Sequence, residues 1–256
     1  QRALAALDSA IAVARAHRLL GEEASSLQLI AEQYQAAGEL PRALDYFARA
    51  QALNTKLDLQ DERGAAIRSE AEIRLSLGQL ALARQGANEA LGIHRRTESA
   101  VEQLVDYLLL ARINDAIGRP ADADSSLRAA RASADRLATP DARGRVALVA
   151  AEIAAHRRRS RDVLAVLDSA TSDLAVAAPV AEAQVLTLRA QAFARLGMLD
   201  SAAATAPALP GASRGPDGLE HVRVGRLERR QFGLALGALA QLLGDAGPGL
   251  LGASLL

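Results

Sequence analysis

The sequence predicts an all-α fold, an α-solenoid of stacked antiparallel helical hairpins. Three observations lead there. First, small residues recur in columns forty apart: Gly38, Gly78 and Gly118; Ala43, Ala83 and Ala123; Ala50, Ala90, Ala130 and Ala170. A further column runs Ala31, Ala71, Ala111 and Ala151, then Ala190 after 39 residues. Periodicity of this length marks a stack of similar supersecondary units, each too small to bury its apolar face alone. Second, half of the 256 residues are hydrophobic, yet aromatics make up only 2% and Trp is absent. The core is therefore built from Ala, Leu, Val and Ile, with alanine as the best helix former and small side chains that let helices approach closely. An all-β chain would call for more aromatic and β-branched residues. Third, the units read as two stripes of helical period, in most of them with a glycine or proline between the two.

The elements follow in order. The opening stretch "ALAALDSAIAVARA" places Ala10 forty residues before Ala50 and predicts a lone second helix near 3–19. In the first full unit, Leu27, Ile30, Ala31 and Tyr34 form one helical stripe at i, i+3, i+4 and i+7. Gly38 ends that helix, since glycine accepts the left-handed conformation found after a helix C-terminus. Pro41 then fits the first turn of the next helix, where a missing N–H costs nothing. Ala43, Phe47 and Ala50 make the second stripe. On this pattern helices pair near 23–37 and 40–56, 62–77 and 79–94, 99–117 and 120–138, 141–157 and 160–175, and 180–196 and 198–207. Pro140 and Pro179 suit first-turn positions, and Gly118-Arg119-Pro120 reads as a turn into a helix start.

Residues 1–209 thus form the repeat array, a half repeat plus five hairpins. The stretch "PALPGASRGPDG" at 207–218 breaks the pattern with three prolines and three glycines, so 210–218 is expected as a loop. Residues 219–256 are expected as a C-terminal capping helix and tail, with one long helix over 219–244 and an irregular end. A membrane span in 232–256 is disfavoured by Asp245 and by Gly247-Pro248-Gly249, which interrupt the apolar run. The unpaired second helix at the start and the absence of an initiating Met suggest a trimmed or internal segment, and no signal peptide is visible.

Charge and chemistry narrow the function. Thirty basic and thirty acidic residues give a formal net charge of zero, which argues against a nucleic-acid binder working by bulk electrostatics. Lys56 is the single lysine, and the arginine bias reads as codon usage rather than phosphate recognition. The absence of Cys removes disulfides, thiolate metal sites and cysteine nucleophiles, and is compatible with a reducing, cytoplasmic location. His17, His94, His156 and His221 are scattered with no zinc spacing, so each is expected as a helix-end or surface histidine, His94 and His156 near helix C-termini. No phosphate-binding glycine loop or catalytic constellation is present in the linear sequence, so the chain is expected to be no enzyme, with no cofactor, no metal and no membrane partner. The run His156-Arg157-Arg158-Arg159-Ser160-Arg161 is the densest charge cluster. It reads either as an anionic docking site or as a solvated hairpin turn whose arginines face helix carbonyls, and the sequence favours the turn.

The pattern of Ala31, Tyr34, Gly38, Ala43, Phe47 and Ala50 resembles the tetratricopeptide repeat. The resemblance covers roughly residues 1–209, with a unit of 40 residues in place of the common 34. It looks like the long variety familiar from bacterial signalling proteins, including caspase-like CHAT peptidases and large regulatory ATPases, and from kinesin light chains. The copies are uneven: Arg74 and Asn114 stand at the aromatic place, and Arg158 stands at the glycine place.

The resemblance implies a right-handed α-solenoid that binds a protein or peptide partner in a concave groove lined by first helices. The residue after the small first-helix position is then expected to face that groove: Glu32, Glu72, Arg112, Glu152 and Gln191, with Gln28, Gln35, Arg68 and Asp115 a turn or less away. Their mixed charge favours a ligand of basic or mixed charge; alternatively they are solvated helix faces with intra-helix pairs. The family's dicarboxylate clamp is not matched, because its positions hold Gln28 and Glu32, Arg68 and Glu72, Leu108 and Arg112. The leading expectation is a protein–protein interaction scaffold. The alternative is a regulatory or sensor arm of a larger signalling enzyme whose peptidase, kinase, cyclase or ATPase domain lies outside this chain. Self-association through the solenoid ends is a further expectation.

Overall fold

The computed structural model describes residue 9 and residues 11–175, 179–205, 212–214 and 220–222. The chain divides into two compact units, Gln1–Ala142 and Arg143–Leu256. Apart from one short strand pair, every described element is helical.

The first unit begins with helical residues 11–16 (α1). There follow α2 (Leu20–Ala37), α3 (Leu40–Lys56), α4 (Gln60–Ser76), α5 (Leu80–Arg96), α6 (Ala100–Ala116) and α7 (Pro120–Leu137). The helices are 17 or 18 residues long because the turns are metrically fixed. A left-handed residue stands at Arg18, Gly38, Asp58, Gly78, Glu98, Gly118, Ala138 and Arg158, one every twenty residues. At Gly38 the backbone N–H donates to the Gln35 carbonyl at 3.0 Å, and Glu39 N–H donates to the Tyr34 carbonyl at 2.9 Å. These are the two bonds of a Schellman closure, which satisfy carbonyls that a helix end leaves open. The same pair recurs at Gly78 with Gln79 and at Gly118 with Arg119. Glu39 is also the N-cap of α3, so one residue closes one helix and opens the next. The forty-residue period is thus two periods of twenty. Glycine marks the turns within the first three hairpins, and Arg18, Asp58, Glu98 and Ala138 occupy the turns between hairpins.

Burial separates two kinds of helix. α3 buries a single stripe, Ala43, Phe47, Ala50 and Asn54. α6 buries residues on several sides: Leu104, Asp106, Leu108, Leu109, Leu110, Ala111, Ile113 and Asn114. The difference follows from position. α4 packs against α3 before it, α5 after it and α6 beside it, whereas a second helix keeps one face in solvent. The core is accordingly a chain of local clusters. Ala31, Ala43, Phe47, Ala66 and Ile73 join α2, α3 and α4, and Ala71, Ala83, Ala87, Leu91, Leu109, Leu110 and Ile113 join α4, α5 and α6. Ala31, Ala43 and Ala50 are fully buried, so the seam positions read from the sequence are the points of close approach. Phe47, also fully buried, contributes about 1.5–3 kcal/mol by its burial in this seam. Tyr34 and Tyr46 stack at 5.4 Å across α2 and α3, with Arg42 over the first ring and Arg49 over the second.

In the second unit, α8 (Pro140–His156), α9 (Ser160–Ser169), α10 (Thr171–Leu174), α11 (Pro179–Arg195) and α12 (Leu199–Thr205) continue the alternation. Leu148, Ala151, Ala154, Val163, Leu167, Ala170, Leu174 and Ala192 form their shared cluster. The helix expected over 160–175 is broken at Ala170, whose φ of −106° and ψ of 13° are not helical. Ser169 Oγ donates to the Val166 carbonyl and Thr171 Oγ1 to the Leu167 and Asp168 carbonyls, so hydroxyls compete with backbone N–H groups there.

The expected 219–244 helix is corrected at its start. Glu220–Val222 (β2) is a strand paired antiparallel with Ala212–Arg214 (β1), which lies inside the expected 210–218 loop, with Ser213 opposite His221. Val222 has the β-branched side chain that favours a strand. The remainder of that expected helix, and the tail to 256, lie outside the described residues.

A Cβ at Gly78 would meet nothing within 4 Å, so its glycine is required by backbone conformation alone, at φ 72°. Gly78→Ala should lower stability by about 1 kcal/mol, and Ala138→Gly should raise it by up to about 1 kcal/mol. Urea midpoints at unchanged slope check both.

Candidate functional site

The expected binding residues occupy equivalent places on successive first helices. Glu32 on α2 is exposed, and Glu72 on α4 and Arg112 on α6 are half-buried, each forty residues from the last. Gln28 and Gln35 on α2 and Asp115 on α6 are half-buried beside them. Gln28 Nε2 donates to Glu32 Oε1 at 3.3 Å along the helix. Glu152 on α8 and Gln191 on α11 are half-buried in the second unit. The structure therefore gathers the positions from 28 to 115 in one unit and the other two in another.

Arg68 behaves differently from its neighbours. Its side chain is 14% exposed and Nη1 donates to Glu102 Oε2 at 2.5 Å and reaches Asp106 Oδ1 at 3.4 Å. Both carboxylates belong to α6, so Arg68 is committed between two first helices.

Behind Arg68 lies a group that sequence reasoning missed. His94 and Asp106 have fully buried side chains, with Nδ1 of the ring 2.5 Å from Asp106 Oδ2. Nε2 lies 3.2 Å from the Asp61 carbonyl oxygen. A carboxylate faces one ring nitrogen and a carbonyl faces the other, so both nitrogens are placed to donate, which only the imidazolium can do. Burial alone would push the His94 pKa down. The Asp106 hydrogen bond and charge, with the Asp61 carbonyl, outweigh burial and the nearby Arg68 cation, and His94 titrates above its ordinary value. The network widens at its edges. Thr97 Oγ1 donates to the Asp61 carboxylate, and Gln103 Nε2 donates to the His94 carbonyl at 2.9 Å. Arg95 Nη2 donates to the Tyr107 hydroxyl at 2.8 Å. Together these contacts tie α4, α5 and α6.

His94 does stand in the last turn of α5, as expected from its position, but it is not a surface residue. Its space comes from Gly64 in α4, where a Cβ would lie 2.3 Å from His94 Nε2. The linear signal was Asp106 within "LVDYLLLA": a carboxylate embedded in an apolar run requires a partner if the run is buried. With no solvent access, this pair is built for cohesion rather than for turnover of a dissolved substrate. His156 is in the last turn of α8 and exposed. Among the described residues, no group of three or more His, Asp or Glu could hold a metal ion, and no helix is long and apolar enough to cross a membrane.

No family model matches the chain, and no curated protein does. Among solved structures it is similar to the crystal structure of BtubC (BKLC) from P. vanneervenii, with a TM-score of 0.64. The match covers 88% of this chain and 98% of that chain at 16% sequence identity. The chain has a helical-repeat fold. At that identity the likeness concerns fold alone.

Two outcomes follow from the buried pair. A histidine whose folded pKa is raised contributes stability that is fully present below its unfolded value, about 6.5, and is lost as pH rises through the folded value. Chemical denaturation from pH 6 to 9 should therefore show falling stability in the parent chain and a flatter profile in His94→Gln. Gly64→Ala should cost about 1–3 kcal/mol by overpacking against His94. In a His94→Ala background the same change should instead gain up to about 1 kcal/mol from helix propensity. A double-mutant cycle by urea unfolding measures that reversal of sign.

Proposed function

We propose that this chain is a non-enzymatic scaffold of the tetratricopeptide type, binding a segment of a protein partner along its first helices. The observation that carries this reading is the register of one surface column. Glu32, Glu72 and Arg112 occupy the same position on α2, α4 and α6, held forty residues apart by the fixed turns. Repetition of charged side chains at one helical position offers an extended ligand a series of equivalent contacts, which a single pocket would not. Glu152 on α8 and Gln191 on α11 hold the matching sequence position within the second unit.

The chemistry selects the ligand. Two carboxylates precede one guanidinium along the column in the first unit, so a basic segment, or one of mixed charge, is favoured. Arg68, which the sequence placed near this column, supports it from beneath by fixing α4 against α6. The family's carboxylate clamp is unmatched, so a free C-terminus is not the feature recognised.

Fluorescence anisotropy with a labelled peptide alternating Lys and Leu tests the reading. Glu32→Lys together with Glu72→Lys should weaken binding by about tenfold or more, equivalent to 1.4 kcal/mol, with helicity by circular dichroism unchanged. Unchanged affinity in that folded variant would remove this surface from consideration.

A further inference from the structure

The second unit contains an open cleft of about 750 Å³ lined by Arg158, Arg159, Ser160, Arg161, Asp162, Arg195 and Leu196. Arg158 and Arg159 come from the turn between α8 and α9, and Ser160, Arg161 and Asp162 from the first turn of α9, all in or beside the dense arginine run of the sequence. The other two come from the end of α11, and tertiary structure alone brings them there. Arg195 Nη1 donates to the Ala155 carbonyl at 2.8 Å, which fixes α11 against the end of α8 and sets the width of the cleft. Arg158, Arg159 and Arg161 are exposed, and their side chains make no ion pair among the described residues. Four guanidinium groups therefore share the cleft with one carboxylate, that of Asp162.

We propose that this cleft binds an acidic segment of a polypeptide, one that alternates or mixes carboxylate and apolar side chains. The planar guanidinium fork matches a carboxylate with two parallel hydrogen bonds. The start of α9 adds to the attraction: its N-cap, Arg159, makes no side-chain cap, so the first N–H groups of the helix face an incoming anion. The cleft is open to solvent rather than enclosed, so a segment of chain can lie along it with both ends free. Leu196, 37% exposed, offers an apolar contact beside the charges. The lining has no aromatic ring on which a base could stack, and Asp162 repels a continuous phosphate backbone, so a nucleic acid is the poorer fit.

One further feature distinguishes this turn from the other hairpin turns. Gly38, Gly78, Gly118 and Gly197 take the left-handed position within their hairpins, and here Arg158 takes it at φ 58°. The chain places a guanidinium where glycine would relieve backbone strain. Replacing it separates the two effects, since a merely structural arginine would be improved upon without other consequence.

The test uses a fluorescein-labelled peptide alternating Glu and Leu, with the whole chain titrated at low salt. The peptide should bind, and Arg159→Glu with Arg161→Glu should weaken it by about tenfold or more, while the new carboxylates, one at the N-cap and one in the first turn of α9, sit favourably at the helix N-terminus and preserve the fold. Arg158→Gly should raise the melting temperature and still weaken binding. Unlabelled inorganic phosphate and a single-stranded oligonucleotide should compete poorly. Failure of the Glu/Leu peptide to bind, unchanged affinity in the double variant, or oligonucleotide binding as tight as the peptide's would each overturn the proposal. The outcome is independent of the first-helix column, whose test uses a basic peptide and residues of the other unit.

Discussion

One constraint governs this structure: the left-handed turn that returns at every twentieth residue. At Gly38, Gly78 and Gly118 the turn closes two carbonyls of the outgoing helix, and the next residue is the N-cap of the incoming one, leaving no slack in the connection. Helices of equal length then present equivalent residues at equivalent heights. Ala31 can meet Ala43, and Ala71 can meet Ala83 and Ala87, because the paired helices are 17 or 18 residues long and start at matched turns. Glycine meets the conformational demand at several turns, and charged residues or alanine meet it at others at some cost in strain.

Within that frame the interior is mostly aliphatic, and one of its buried polar groups is informative. His94, Asp106 and Arg68 place a polar network between α4, α5 and α6. Buried charges of this kind contribute little net stability over a well-packed apolar alternative, but they tolerate few misalignments. Alanine seams are interchangeable: one alanine column fits another nearly as well when slid by a unit. A histidine that needs Gly64 opposite it, a carboxylate at one nitrogen and a carbonyl at the other fits one register only. The network thus supplies a specificity that a repetitive apolar core lacks.

The two units present surfaces of opposite character. The first-helix column of the first unit carries Glu32 and Glu72 ahead of Arg112. The cleft of the second unit gathers arginines at a turn and at a helix end. A formal net charge of zero for the whole chain conceals this division. Surfaces with local and opposite charge steer different ligands without making the protein as a whole sticky.

The sequence by itself determined the helices, their pairing and the seams. Spacing of glycine, proline and alanine is local information, and backbone conformation and helix propensity are local in origin; hence the helix bounds from Leu20 to His156 fall within a few residues of those read from the pattern. It also placed the arginine run at a hairpin turn. It misplaced the start of the expected C-terminal helix, where Glu220–Val222 pairs with a segment whose own pattern read only as loop. Tertiary structure alone decided that Arg68 faces α6, that His94 is buried against Asp106 twelve residues on and Gly64 thirty residues back, and that Arg195 joins the cleft beside Arg158. Those outcomes depend on which faces meet when helices stack, and the energy of burying a charge depends on what lies across the interface, which no single helix encodes.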